Sequence, residues 1–242
     1  MPASAAAILG HLKVVDAERE RRSTDPGLDA RVAALKAFQQ RRFSHTYADL
    51  LASARYGAAS RFFLDELYGP NDFTRRDRQF ARMVPGMVRL FSDELVATVS
   101  TLAELHALSE TFDTAMGLQF GDEAITAIDY IRAWQRVGRA PDRERQIALT
   151  LSVAAALDRL TRKPLLRKSL FFMRGPARAA GLAELHRTLE LGFDTFGTMN
   201  GAQEFIALVG SRERALAGVL FAAGAEGSDE ASSMKPALDS LP

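Results

Sequence analysis

The feature that most constrains this chain is its shortage of strand-building residues. Of 242 residues, 40 are Ala, 30 Leu and 26 Arg, all strong helix formers, against 6 Ile and 11 Val. No stretch alternates apolar and polar residues for long enough to make a strand, and apolar spacings of three and four recur from end to end. The expected fold is all-α: a compact bundle of about nine or ten helices.

The punctuation between helices is read from Gly, Pro and capping residues. A first helix spans about Ala5 to Arg21 and is ended by Asp25-Pro26-Gly27. A second spans Leu28 to Phe43, with Val32, Leu35, Phe38 and Gln39 on its inner stripe. Ser44 is read as the N-cap of a third that runs to Leu67, carrying Tyr47, Leu50, Leu51, Ala54, Ala58, Phe62 and Leu64. Tyr68 to Phe73 is the sharpest break, and Thr74 with Asp77 opens the next helix as a variant capping box. Pro85 is expected to kink or split that helix. Further helices are expected over Asp93 to Ala115, Asp122 to Val137, Asp142 to Leu160, Pro164 to Met173, Ala177 to Phe196 and Ala202 to Ala222. One domain covers 1–223, with 138–141 as the place where a division would fall. Residues 224–242, poor in apolar side chains, read as a disordered tail.

Several function classes are excluded. Without cysteine there is no disulfide, thiolate zinc site, iron–sulfur cluster or Cys nucleophile. The start of the chain lacks a basic leader, and no run approaches the roughly 20 apolar residues of a membrane span. A cytoplasmic protein with no membrane span is expected. There is no phosphate-binding Gly-rich loop, dinucleotide fingerprint, nucleophile elbow or metal-binding His-Glu-x-x-His helix. A net charge of +1 argues against a nucleic-acid partner.

Three features remain. Residues 159–178 hold Arg159, Arg162, Lys163, Arg167, Lys168, Arg174 and Arg178 and no acid, interleaved with Leu165, Leu166, Leu170, Phe171, Phe172 and Met173. Such a basic amphipathic segment can bind phosphate, nucleic acid or an anionic membrane surface, and the partner expected is a protein or an anionic ligand. The second feature is a polar corner at 65–77, where Glu66 or Asp72 could serve as acid or base. The third is His106, which lies among leucines as an axial haem ligand would. The order of helices around it, from Phe62 and Phe63 through Phe73 to Leu102, loosely resembles the globins. That likeness implies haem as cofactor, with Gln79 near the place of a distal histidine. Without it no cofactor is expected. The first expectation is therefore a non-catalytic helical binding protein, with a haem protein and a 65–77 enzyme as alternatives. Its amphipathic helices would also suit a homodimer.

The run Phe62 to Phe73 (FFLDELYGPNDF), together with the stretch from Leu160 to Gly181, resembles a family of uncharacterised proteobacterial helical proteins. The likeness spans about residues 30–222. It implies a bacterial origin and carries no function.

Overall fold

The computed structural model describes residues 4–67, 74–90, 92–179, 181–223 and 230–242. Helices run over α1 (Ala5–Ser23), α2 (Pro26–Thr46), α3 (Ala48–Ala52), α4 (Gly57–Phe62), α5 (Thr74–Leu90), α6 (Asp93–Gly117), α7 (Ala127–Val137), α8 (Ala140–Thr161), α9 (Pro164–Ala179), α10 (Ala183–Thr198), α11 (Gln203–Ala222) and α12 (Glu230–Leu238); a π-helical turn over Phe63–Leu67 follows α4. Among the described residues there is no strand, and ten of the twelve α-helices have seven residues or more.

Helix α6 is the hub, packing against α1, α2, α5, α7 and α8. The buried apolar residues gather in three clusters, two of which include α6. One joins Leu35 and Phe38 of α2, Met116 of α6, Tyr130, Ile131, Ala133 and Trp134 of α7, and Leu216 and Leu220 of α11. A second, rich in aromatics, gathers Phe43, Tyr47, Tyr56, Phe62, Phe63, Phe196 and Phe205. The third seats Ile8 and Leu12 of α1 against Val84 of α5 and Val96 of α6. The first cluster draws on helices from both sides of residue 140. Helices α7 and α8 are joined there by a two-residue turn in which Gly138 and Arg139 both take positive φ.

Helix ends differ from the sequence reading where local signals compete with packing. Ser44 lies inside α2, its hydroxyl donating to the Gln40 carbonyl. Helix α2 ends three residues beyond Phe43, at Thr46 with Tyr47 as its C-cap, and a second, unexpected break follows at Ser53, whose Oγ accepts from the amides of Arg55 and Tyr56. The change of register buries Tyr56 and Ala59 and leaves Ala54 and Ala58 outside. Gly57 is required there, because a Cβ would stand 2.8 Å from the Leu51 carbonyl oxygen. Pro85 lies within a continuous α5. The helix with Thr126 as its N-cap, α7, starts five residues later than expected, behind a full capping box with Asp129.

Gly175-Pro176 does not end α9, which continues to Ala179. Pro176 lies in the last turn, where only one backbone bond is lost. The stop comes at Gly181, with φ of 72°. Its amide bonds Arg178 O and the Leu182 amide bonds Ala177 O, the bond pair of a Schellman ending. Of the expected tail, 224–229 lie outside the described residues. Residues 230–238 form α12, which buries Met234, Ala237 and then Leu241 in the first cluster. Burial against α7 and α11 supplies what the local composition lacks.

Candidate functional site

The basic segment spans the end of α8 and all of α9. Most of its charges are paired. Arg159 and Lys163 both reach Glu94 of α6. Arg162 meets Asp158 at 2.7 Å, Arg167 meets Asp194 at 2.9 Å, and Arg174 meets Glu190 at 2.7 Å. Each cation is more than half exposed or nearly so, and such surface pairs contribute at most about 1 kcal/mol. Lys168 and Arg178 have no ion pair among the described residues.

Asp158 has a second task. Its Oδ1 accepts from the Ala202 amide at 3.1 Å, capping the start of α11. Across the same turn, Arg55 donates to the carbonyls of Met199 and Gly201, closing the end of α10. The turn carries Asn200 at φ 57° and Gly201 at φ 113°. Arg162 is thus tied to a structural cap.

Helix α9 is only half covered. Ala177 is buried and Leu166 and Leu170 are half-buried against α8 and α10. His186 of α10 donates from Nε2 to the Leu170 carbonyl at 2.9 Å. The other side projects Leu165 at 76%, Phe171 at 58%, Phe172 at 74% and Met173 at 42% exposure. These four are the densest run of exposed large apolar side chains among the described residues, where the usual surface pattern is scattered singles.

His106 and the 65–77 corner converge, though not as an open site. His106 Nε2 is 2.8 Å from Asp77 Oδ2, and Arg19 holds that same oxygen at 2.9 Å. The nitrogen an iron would take is the one engaged by the carboxylate. Asp72 and the side chain of Glu66 lie outside the described residues. Among the described residues no group of three His, Asp or Glu side chains could hold a metal ion.

Behind His106 lies a charge network that the sequence reading missed. Glu110, 3% exposed, takes Arg22 at 2.5 Å and Lys36 at 3.1 Å. Lys36 also approaches Asp113 at 3.6 Å, and Gln39 donates to Asp113 at 3.2 Å. Burial by itself would raise the Glu110 carboxyl; Lys36, Arg22 and His106 overcome it and hold it at about 2. Asp113 goes the other way: burial pushes its carboxyl up, and Lys36 only partly opposes that. Nearby, Arg143 lies 3.6 Å from the Phe112 ring centroid and 3.9 Å from that of Trp134. Burial lowers its guanidinium to about 10, so it stays charged at neutral pH.

A signal for this network was present. The buried stripe of α6 runs Ala103, Ala107, Glu110, Thr114, Gly117, and that of α1 runs Ile8, Leu12, Val15, Arg22, with Arg19 four residues after Val15. Acids on one core stripe and arginines on another mark a buried pairing.

This is an all-helical protein whose core is locked by a buried ionic cluster and whose α9 is left uncovered on one side. Residues 18–227 match the family described as Domain of unknown function (DUF8198), and the chain belongs to that family. No curated protein matches the chain, and no solved structure does.

Proposed function

We propose that the chain is a non-catalytic interaction protein that engages an anionic partner through the outer face of α9. The observation that carries this reading is the coincidence of four exposed apolar side chains, Leu165, Phe171, Phe172 and Met173, with Lys168 and Arg178, which have no ion pair among the described residues. From 159 to 178 the sequence offers seven cations and no carboxylate. The cations paired with Glu94, Glu190 and Asp194 are at least half exposed, and these pairs can be exchanged for stronger contacts with a partner.

The test is binding to a panel of anionic probes at low salt: polyglutamate, single-stranded DNA and vesicles containing phosphatidylglycerol. At least one should bind, and K168E/R178E should weaken it at least tenfold, as about 1 kcal/mol per removed attraction plus added repulsion implies. If no probe binds, or if the double variant binds as well as the parent, the reading is wrong.

A further inference from the structure

Resting on that reading, we infer that the partner of α9 is an anionic lipid bilayer, on which the helix lies flat with Phe171 and Phe172 inserted below the headgroups. The face is organised for it. Leu165, Lys168, Phe172, Gly175 and Ala179 follow one another at spacings of three and four, and share the outward side of the helix. Arg167, Arg174 and Arg178 share one flank of that ridge at spacings of seven and four. The opposite side, Leu166, Leu170 and Ala177, is the side turned to the protein.

The aromatic pair and the flank fit an interface in depth as well as in angle. The rings of Phe171 and Phe172 meet edge to face, with centroids 5.8 Å apart. The Arg174 guanidinium lies 4.9 Å from the Phe171 centroid. A cation held beside a ring that points outward places charge at phosphate level while the ring enters the acyl boundary. Lys168, on the ridge itself, has a stem long enough to reach headgroups from there.

A second copy of the chain suits this face less well. A two-fold contact through α9 would set Lys168 and Arg178 of each copy against a helix that has no acid to meet them. An acidic protein would have to supply a groove shaped to a convex ridge with two adjacent phenylalanines. A fluid interface accepts that ridge without shape matching, and binds it in proportion to buried apolar area plus charge attraction.

The experiment is sedimentation of the full chain with vesicles of phosphatidylcholine alone and of phosphatidylcholine with phosphatidylglycerol, alongside polyglutamate and DNA binding. Expected is binding to the anionic vesicles and little to the neutral ones. F171S/F172S should reduce vesicle binding at least about tenfold. K168Q and R178Q should each reduce it about fivefold. All these side chains are exposed, and far-UV circular dichroism of the variants should match the parent. Binding to polyglutamate or DNA without vesicle binding overturns the bilayer and leaves the anionic reading standing. Binding to no probe overturns both. Vesicle binding that ignores the phenylalanines overturns insertion, and a dimer in the absence of vesicles that F171S/F172S dissolves assigns the face to a second copy.

Discussion

Replacing Glu110 by Gln is the sharpest test of what holds the bundle together. Glu110 is 3% exposed and faces Arg22, Lys36 and, at 3.5 Å, Arg19. An ordinary glutamate titrates near 4.5, and this one is held at about 2. At 1.36 kcal/mol per pH unit, that gap corresponds to about 3 kcal/mol of folding stability. Removing one member of a buried ionic set also leaves its partners uncompensated, for which about 3–5 kcal/mol is the usual loss. The two estimates agree, and E110Q should lose about 3–4 kcal/mol at pH 7 in urea unfolding. The sign follows from the depressed carboxyl. Its stabilisation is fully present above pH 4.5 and disappears as pH falls from there to about 2. Unfolding free energies measured at steps from pH 7 to pH 2.5 should therefore converge for parent and variant at the acid end. A loss under about 1 kcal/mol at pH 7, or parallel curves down to pH 2.5, would refute the network as a source of stability.

Four further outcomes are expected. Gly117→Ala would place a Cβ 2.5 Å from Val32 Cγ2 and 3.2 Å from Leu28 Cδ1, and should lose about 1–3 kcal/mol in urea unfolding, with part recovered in G117A/V32A. Leu241→Ala should lose about 2 kcal/mol, because Leu241 is 6% exposed within the first core cluster; a tail with no packing role would show no change. Arg143→Ala should lose about 2–4 kcal/mol and alter the emission of Trp134, the single tryptophan, whose ring Arg143 covers. Hemin added to the chain should give no Soret band that His106→Ala removes, since Asp77 engages His106 Nε2 at 2.8 Å; a band lost in the variant would reinstate haem.

The composition of the α9 face is legible in the sequence; the partners of its cations mostly are not. The seven cations of 159–178 and the phenylalanines between them are visible as a run. Their outward direction follows only from knowing that Leu166, Leu170 and Ala177 face α8 and α10. The Arg162–Asp158 pair, four residues apart, is legible in the sequence, but the pairing of Arg159 and Lys163 with Glu94 is not, because Glu94 lies 65 residues before Arg159. Likewise Asp77 and His106, singled out separately, prove to be neighbours across 29 residues. Glu110 and Arg22 were legible in principle as polar residues on core stripes, but each stripe names its partner only when the two helices pack.

What the sequence determined by itself was helix content and the greater part of the helix boundaries. Helix formation rests on bonds and side-chain contacts three and four residues apart, so its pattern is local. Tertiary structure decided the rest. It carried α2 past Ser44 to Thr46 and added a break at Ser53, carried α9 through Pro176 to a stop at Gly181, and formed α12. In each case the deciding term was burial or hydrogen bonding to residues distant in the chain, and that energy exists only once those residues have been brought together.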